Sequence, residues 1–361
     1  MLYERSVWLR LAMALVCAFA VSFAATPFAK KIAEKVGAID VPRESRRVHD
    51  HPIPRMGGLA IFIGFIVSML IFAQMSTPVM GMLVGAVIIV AMGAIDDVVS
   101  LNAWVKLAAQ VIAAAFAIRC GVLIDVLSTP TMLSENYYII GYLAYPVTLL
   151  WIVGCTNAVN LIDGLDGLAV GVSTISCLTM LAVAMMVSEP SIALILAALA
   201  GACLGFAPYN KNPAKIFMGD TGAQLLGYVL ACASVMGMFK FSAIVTIIVP
   251  VFALAVPLAD TAFAFFRRIL RGESPFHADR GHFHHRLLDM GLSQKQAVTV
   301  LYAISAIMGL LAVLLSSHIE YIRIICIAVS FIIAVVIWLA VFRHNPNIHV
   351  PHHESGEEKD T

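Results

Sequence analysis

The amino-acid sequence predicts an all-α polytopic membrane protein with about eleven transmembrane helices. Of its 361 residues, 61% are hydrophobic and only 12% are charged, whereas soluble domains carry about 25% charged residues. The apolar residues form runs of about 20, the length that a helix needs to cross a bilayer. The net charge of +1 creates no field that would attract a polyanion, so nucleic acid is not an expected partner.

The predicted spans follow one another along the whole chain. They are 7–28, 56–74, 78–95, 103–120, 143–160, 167–187, 191–208, 222–239, 243–267, 297–317 and 321–342. Pro250 and Pro257 interrupt the ninth span and predict a broken helix. Segment 121–142 contains two β-prone stretches and predicts a short β-hairpin on the outer surface. The transmembrane domain is therefore expected to cover 1–343, followed by a polar cytoplasmic tail at 344–361.

The basic residues indicate how the helices are oriented. If the N-terminus is outside, 18 of the 23 lysines and arginines lie in segments on the inner side of the membrane. Loops rich in Lys and Arg stay in the cytoplasm, so segment 29–55 is predicted to be cytoplasmic. A cleaved signal peptide is the alternative for the first apolar run. Cleavage would leave segment 29–55 on the wrong side of the membrane.

Four polar residues recur at every third position where the fifth span ends. They are Asn157, Asn160, Asp163 and Asp166. On a helical path, residues three apart share a face, so these side chains are expected to lie together. Two carboxylates and two amides suit a site for a metal ion and phosphate, because hard cations take oxygen ligands. Polar packing between helices is the alternative, but acids within a membrane usually serve a function.

Further acids lie at helix ends on the same predicted side. Asp96 and Asp97 end the third span, and Lys106 is expected to neutralise them or to hold a phosphate. Asp220 lies in a turn between two glycines, which can present a carboxylate and backbone N–H groups to a metal–phosphate unit. The alternatives are solvated charges, a lysine that reaches the membrane surface and a simple helix cap formed by Asp220 and Thr221.

A histidine-rich segment follows the ninth span. Its polar residues are His282, His284, His285, Arg280 and Arg286. Because no cysteine accompanies the histidines, the segment favours contacts to a pyrophosphate over a zinc site. A loop that is basic only to fix the topology is the alternative, and it leaves the histidines unexplained. Asp260, within the ninth span, is expected either to pair with Arg267 or Arg268 or to contact substrate.

Five stretches of the sequence, taken in this order, resemble the polyprenyl-phosphate N-acetylhexosamine-1-phosphate transferase family. They are 54–58, 96–97, 157–168, 217–222 and 279–296. The resemblance implies an all-α bundle, often dimeric, in the bacterial cytoplasmic membrane with its active site on the cytoplasmic side. It implies transfer of N-acetylglucosamine 1-phosphate from UDP-N-acetylglucosamine to undecaprenyl phosphate, which starts an envelope glycan such as teichoic acid or O-antigen.

The His-Phe-His-His-Arg pattern is similar to the branch that uses UDP-N-acetylglucosamine. The branch that acts on UDP-muramoyl-pentapeptide, which typically has three consecutive histidines, is the alternative. Two other classes are a transporter, whose ionisable residues would lie near the bilayer midplane, and a catalytically inactive scaffold. The acids are predicted to lie at helix ends, which argues against a transporter. Every acidic position of the family pattern is retained, which argues against an inactive scaffold.

The resemblance also implies roles for individual residues. Asp220 is similar to the main Mg²⁺ ligand, with Mn²⁺ as an expected substitute. Asp96 resembles the base or nucleophile that engages the lipid phosphate, and Phe217 resembles a residue that stacks on uracil. Catalytic roles are expected for Asp96, Asp97, Asp163, His284 and His285. Substrate binding is expected of Lys106, Asn157, Asn160, Asp166, Asn210, Phe217, Arg280 and His282.

Overall fold

The structure, a computed structural model, describes residues 5–41, 51–124, 126–128, 137–139, 141–237, 249–270, 282–316, 325, 328 and 329. The chain divides into two units, Met1–Ser316 and Ser317–Thr361. The helices of the first unit are α1 (Arg5–Val36), α2 (Gly58–Phe72), α3 (Thr77–Val99), α4 (Ala103–Arg119), α5 (Ala144–Leu161), α6 (Leu168–Met186), α7 (Pro190–Asn210), α8 (Gly219–Gly237), α9 (Ala255–Leu270), α10 (Phe283–Asp289) and α11 (Gln294–Leu315). In the second unit the described residues 325, 328 and 329 are helical.

Six helices of the described residues are long and apolar enough to cross a membrane. They are Arg5–Val36, Thr77–Val99, Gly141–Leu161, Leu168–Met186, Pro190–Asn210 and Gln294–Leu315. This confirms the predicted all-α polytopic membrane fold. Helices α2 and α4 occupy two further predicted spans with 15 and 17 residues. The total of about eleven spans stays a prediction, and the span 321–342 and the tail 344–361 lie outside the described residues.

Helix α1 is longer than the sequence predicts. It has 32 residues and is therefore about 48 Å long, whereas the hydrocarbon core is about 30 Å thick. The helix continues to Val36, past the predicted end of the span at residue 28, and Lys30 pairs with Glu34 at 3.9 Å on its surface. The first basic residues of the predicted loop therefore lie in α1. An i,i+4 ion pair such as this one stabilises a solvent-exposed part of a helix.

Helix α7 lies at the centre of the bundle and packs against α1, α2 and α6. A Cβ atom at Gly201 would lie 2.9 Å from the backbone carbonyl carbon of Leu15, and one at Gly205 would lie 3.0 Å from the backbone nitrogen of Phe23. These two glycines therefore allow the close approach of α1 to α7 that membrane helices use for packing. Helix α8 is also central, buried from Thr221 to Val235 between α3 and α5.

The predicted break in the ninth helix is confirmed. Residues 249–253 are helical, Leu254 forms a turn, and α9 then runs from Ala255. Pro257 has no N–H to donate to the carbonyl of Ala253, four residues earlier. The hydroxyl of Ser176 on α6 donates to that carbonyl instead, so a side chain from a neighbouring helix satisfies the broken bond.

Two small antiparallel pairs of strands complete the first unit. Strands β3 (Val126–Ser128) and β4 (Tyr137–Ile139) pair with Val126 opposite Ile139, which confirms the predicted hairpin within 121–142. Strands β1 (Ile39–Asp40) and β2 (Ile53–Pro54) were not predicted. Their pairing brings the segment after α1 to the start of α2.

Candidate active site

A polar cleft lies at one end of the bundle, where α3, α5 and α7 end and α2, α6 and α8 begin. Its volume is about 280 Å³, and it is lined by Asp40, Arg55, Asp97, Asn160, Asp163, Gly164, Leu165, Asp166, Asn210, Phe217, Gly219, Asp220, His285 and Gln294. Eight of the predicted site residues are among them. The remaining predicted residues that the structure describes lie outside this wall: Asp96, Lys106, Asn157, His282 and His284. Arg280 is outside the described residues.

Asp97 holds the beginning of α8. Its Oδ1 accepts a hydrogen bond from the backbone N–H of Asp220 at 3.0 Å, and its Oδ2 accepts from the backbone N–H of Thr221 at 3.2 Å and from the Thr221 hydroxyl. Arg55 donates to the backbone carbonyl of Asp97 at 3.0 Å. The cap of α8 is thus an aspartate of α3 and not the Asp220–Thr221 pair itself, so Asp97 positions Asp220 at the cleft.

Asp96 and Asp220 share one lysine. The ammonium group of Lys106 lies 2.9 Å from Oδ2 of Asp96 and 2.9 Å from Oδ2 of Asp220. Asp96 also accepts from the backbone N–H of Leu101 at 2.6 Å. Neighbouring residues of a helix point about 100° apart, and Asp96 and Asp97 accordingly take different partners. Lys106 neutralises the acids, which was one of its two predicted roles.

The turn between α5 and α6 corrects one prediction. Helix α5 ends at Leu161, so the continuous helical face expected for four residues spaced by three does not extend to Asp163 and Asp166. Gly167 has a positive φ of 79°. This left-handed conformation interrupts a right-handed helical path, and glycine adopts it without strain. Asn160, Asp163 and Asp166 nevertheless all line the cleft.

Asp166 and Asn210 tie this turn to the segment that follows α7. Oδ2 of Asp166 accepts from the side-chain amide of Asn212 at 2.9 Å and from the backbone N–H of Ala214 at 3.0 Å. Asn210 accepts from the backbone N–H of Gly167 at 3.1 Å and donates to the carbonyl of Ile216 at 3.0 Å. Both predicted substrate contacts therefore also fix the shape of the cleft wall.

The backbone fixes the position of Phe217 in that wall. Its N–H donates to the carbonyl of Pro54 at 2.8 Å, and its carbonyl accepts from Gly57 at 2.9 Å. Arg55 and Phe217 form a parallel β-bridge. The segment after α7 is thereby attached to the beginning of α2, and the bonds that attach it do not involve the phenyl ring.

Asp163 differs from the other acids of the cleft. In the part of the chain that the structure describes, its side chain makes no hydrogen bond and no ion pair. Burial, together with the nearby carboxylates of Asp220, Asp97 and Asp166, raises the pKa of Asp163 to about 8. A cation bound nearby would favour the charged form of this carboxyl group, because opposite charge lowers a carboxyl pKa.

The acids of the cleft fit a magnesium ion that is shared with a substrate. Among the described residues, no three His, Cys, Asp or Glu side chains are grouped to hold a metal by themselves. Mg²⁺ commonly takes only one or two protein carboxylates and completes its shell with water and substrate phosphates. Asp163 and Asp220 both line the cleft, and they provide the hard oxygen donors for such an arrangement.

Asp260 of α9 anchors the histidine helix α10. Its Oδ2 lies 2.8 Å from Nδ1 of His282, and its Oδ1 accepts from the backbone N–H of Phe283 at 2.6 Å. The ring of Phe263, also on α9, stacks against Phe283 with centroids 5.8 Å apart. His282 is thus engaged with α9 rather than the cleft wall, which departs from its predicted contact with substrate, and Asp260 gains a positioning role.

The next two histidines reach the acidic turn. His284 is 3% exposed, and a Cβ atom at Gly164 would lie 2.9 Å from its Cε1 atom. Glycine at this position therefore allows α10 to pack on the turn. Burial, reinforced by His285 at 4.3 Å between ring centroids, lowers the pKa of His284 to about 4. His284 is neutral at pH 7, while His285 lines the cleft.

Several residues of the site were missed. Gln110 of α4 and Gln224 of α8 are buried and bonded to each other at 2.8 Å beneath the cleft. They are amides within predicted apolar spans, so the criterion that selected the acids could have found them. Asp40 and Gln294 also line the cleft. No local pattern indicates them, because the fold brings them there from distant segments.

An all-α membrane bundle with a cleft of acids and bases at its helix ends is the arrangement expected of a polytopic membrane enzyme that acts on phosphates. Comparison with known proteins identifies the group. Residues 79–238 match the family model described as glycosyl transferase family 4. With the relatives below, this shows that the chain belongs to glycosyl transferase family 4, and the protein is therefore an enzyme.

The relatives are similar over most of their length. A probable undecaprenyl-phosphate N-acetylglucosaminyl 1-phosphate transferase of Bacillus subtilis (strain 168) is 42% identical over 320 residues, 88% of this chain and 87% of the relative. A decaprenyl-phosphate N-acetylglucosaminephosphotransferase of Mycobacterium tuberculosis (strain ATCC 25618 / H37Rv) is 36% identical, covering 78% and 76%. An undecaprenyl-phosphate alpha-N-acetylglucosaminyl 1-phosphate transferase of Escherichia coli (strain K12) is 29% identical, covering 79% of each. These matches confirm the family resemblance.

Proposed function

We propose that the enzyme transfers N-acetylglucosamine 1-phosphate from UDP-N-acetylglucosamine to undecaprenyl phosphate and releases UMP. The observation that carries this proposal is the meeting of Asp163 and Asp220 with Lys106 and Arg55 at the ends of apolar helices. Such a cleft can hold a water-soluble nucleotide beside an acceptor whose chain stays in the bilayer. The names of the relatives support an N-acetylglucosamine phosphate donor group and a polyprenyl phosphate acceptor.

The lipid phosphate is the nucleophile of the reaction. An oxygen of that phosphate bonds to the sugar-linked phosphorus of the donor, the bond from this phosphorus to the bridging oxygen breaks, and UMP leaves with that oxygen. A phosphate monoester has a second pKa of about 6, so the acceptor is mostly a dianion at neutral pH and needs little help from a base. Direct attack is therefore favoured over a covalent intermediate on Asp96, whose carboxylate is paired with Lys106 at 2.9 Å.

Asp220 and Asp163 would hold the Mg²⁺ ion, with Mn²⁺ as a substitute. When bound, the ion offsets negative charge on the donor phosphates. Lys106 lies against Asp220 and can contact a phosphate without moving far from its present partners. His285, at the cleft wall, supplies a further donor for the diphosphate or the sugar.

The nucleotide would bind on the side of the cleft formed by the segment after α7. Phe217 lines this wall, and its backbone is fixed by Pro54 and Gly57, so its ring is available at this position to stack on uracil. Asp166 and Asn210 keep the neighbouring turn in place. The homodimer and the downstream glycan implied by the resemblance stay predictions.

The cleft is proposed to open to the cytoplasm of a bacterial cell, where the UDP-sugar is available. Lys215 is exposed in the segment beside the cleft, and Lys215→Cys provides a site for labelling. In intact cells, a membrane-impermeant maleimide should leave this cysteine unmodified until the membrane is permeabilised. Ready labelling in intact cells would reject the proposed orientation and the function with it.

A single transfer assay tests the activity. The purified enzyme in detergent is given undecaprenyl phosphate and radiolabelled UDP-N-acetylglucosamine, with and without Mg²⁺, and the labelled lipid and UMP are measured. We expect Mg²⁺-dependent formation of both products in equal amounts. The same assay is run with UDP-muramoyl-pentapeptide as the donor. Turnover of this donor alone would favour the other branch, whereas no transfer from either donor would favour a transporter or an inactive scaffold.

A further inference from the structure

Two helices show the same arrangement beneath the cleft. On α8, Gln224 follows Asp220 by four residues, and on α4, Gln110 follows Lys106 by four residues. In each helix, the charged residue is nearer the cleft and the amide lies one turn deeper in the bundle, since i and i+4 share a face. Gln224 is 0% and Gln110 is 2% exposed.

Hydrogen bonds join these side chains into one chain. The Nε2 of Gln224 donates to Oδ2 of Asp220 at 3.0 Å, and the Nε2 of Gln110 donates to Oε1 of Gln224 at 2.8 Å. The Nδ2 of Asn157 on α5 donates to Oε1 of Gln110 at 2.7 Å and to the carbonyl of Val153 at 2.8 Å. The carboxylate at the cleft is thus connected to a backbone carbonyl of α5 by three amides, of which Gln224 and Gln110 are buried and Asn157 is half-buried.

The orientation of each amide follows from its neighbour. An ionised carboxylate only accepts hydrogen bonds, so Gln224 must direct its NH₂ group to Asp220 and its oxygen to Gln110. Gln110 must then direct NH₂ to Gln224 and its oxygen to Asn157. The second N–H of the Asn157 amide donates to the Val153 carbonyl, which also only accepts. This arrangement gives every member a hydrogen-bond partner, and a hydrogen-bonded network in the protein interior restricts the orientation of its members.

We propose that Gln224 and Gln110 are positioning residues for the transfer reaction, and that this chain of amides fixes the Asp220 carboxylate toward the metal and phosphates. Both Gln224 and Lys106 donate to Oδ2 of Asp220, which leaves Oδ1 for a further partner. The chain links α4, α5 and α8, so it also sets the position of Asp220 relative to Lys106. This inference rests on the proposed function and adds two residues to it.

Methionine is the variant of choice because it matches glutamine in length but cannot replace its hydrogen bonds. In the transfer assay, Gln224→Met should lower kcat by about 30-fold and Gln110→Met by about fivefold, the size expected when a bond to a charged group or its support is lost. The KM for UDP-N-acetylglucosamine should stay within about twofold, because the effect is on the reacting phosphates. The double variant should be no slower than Gln224→Met alone.

Ser234→Ala is the matched control. Ser234 is a buried polar residue of the same helix, and it accepts from Trp151 at 2.9 Å away from the chain. Its kcat should equal that of the wild type. A second readout needs no turnover: Mn²⁺ binding in the presence of UMP, followed by electron paramagnetic resonance, should weaken by about tenfold in Gln224→Met and stay unchanged in Ser234→Ala.

Gln224→Glu covers the case in which methionine prevents folding. It keeps the shape but replaces the donor to Asp220 with a like charge, so kcat should fall further than in Gln224→Met. Wild-type kcat and Mn²⁺ affinity in the Gln224 variants, or independent multiplicative losses in the double variant, would overturn the proposal. Absence of transfer by the wild type would instead refute the proposed function, so the two failures are distinguishable.

Discussion

Asp97 and Asp163 line the same cleft but are used in opposite ways. At the junction of α3 and α8, the Asp97 carboxylate accepts hydrogen bonds from two backbone N–H groups and one hydroxyl. In the turn between α5 and α6, the Asp163 side chain has no hydrogen bond or ion pair within the described part of the chain. An acid with both oxygens engaged by protein donors builds the site, and one with an oxygen left over is available to a ligand.

Two histidines of α10 differ in where they lie. His282 is 7% exposed and is held by Asp260 at 2.8 Å, whereas His285 lies in the cleft wall. Some of the predicted site residues therefore position others, and some can meet the substrate. Each prediction below tests that separation.

The largest effect is expected for Asp220→Asn. The variant keeps the shape of the side chain but removes the charge that a metal ion requires, and Mg²⁺ has few protein ligands to lose. We expect turnover to fall by at least about 1000-fold, as measured by the transfer assay over a range of Mg²⁺ concentrations. The thermal stability should be close to that of the wild type. Near-normal turnover would show that the metal is held by another carboxylate.

Asp163→Asn and Asp97→Asn should separate the two roles directly. Asp163→Asn removes a carboxyl group that the metal ion would hold in its charged form, so activity should fall by about 100-fold while the melting temperature is kept or raised. Asp97→Asn replaces an acceptor of three donors by a group with one acceptor oxygen, which should destabilise the fold by about 3 kcal/mol. Both variants are compared by thermal unfolding in detergent and by transfer activity. A stable, inactive Asp97→Asn would contradict the positioning role.

The features that the sequence predicts correctly depend on local properties. The lengths of the apolar runs indicate membrane helices, Pro250 and Pro257 indicate the break in the ninth helix, and the β-prone stretches within 121–142 indicate a hairpin. Four of the predicted acids also meet in one cleft as expected, because they lie at or beside helix ends of the same predicted side: Asp97, Asp163, Asp166 and Asp220.

What the sequence does not indicate is which residue bonds to which. The donors to Asp97 are 123 and 124 residues away along the chain, and no pattern near Asp97 identifies them. The spacing of three residues predicted a helical face through Asp163, but Gly164 and Gly167 allow the chain to leave the helix after Leu161. Long-range packing decides these points.

Phe217→Ala should have a moderate effect, because the backbone bonds that fix this residue do not need the ring. Stacking on uracil is present in both the ground state and the transition state, so its loss should raise the KM for the donor by about tenfold with little change in kcat. Phe217→Tyr keeps the ring and should retain the wild-type KM. A large fall in kcat at unchanged KM would mean that Phe217 belongs to the architecture of the cleft.

The smallest effect is expected for His284, which packs on Gly164 and is one of the residues that build the cleft rather than meet the substrate. Its pKa is about 4 in the folded protein and 6.5 ordinarily. Between these values the unfolded chain binds more protons than the folded protein, so lowering the pH from 7 to 5.5 should cost about 1 kcal/mol of the wild-type free energy of unfolding through this residue. Stability from this source is complete above pH 7.

His284→Gln removes that titration, so its melting temperature should fall less than that of the wild type between pH 7 and pH 5.5, by about 1–2 °C. His51→Gln replaces an exposed histidine and should retain the wild-type dependence. The measurement is thermal unfolding of the three proteins in the same detergent at both pH values. An equal loss of stability in His284→Gln and the wild type would show that His284 is protonated as easily in the folded protein as in the unfolded chain. His284 would then be counted among the residues that can bind the diphosphate, and not among those that only build the cleft.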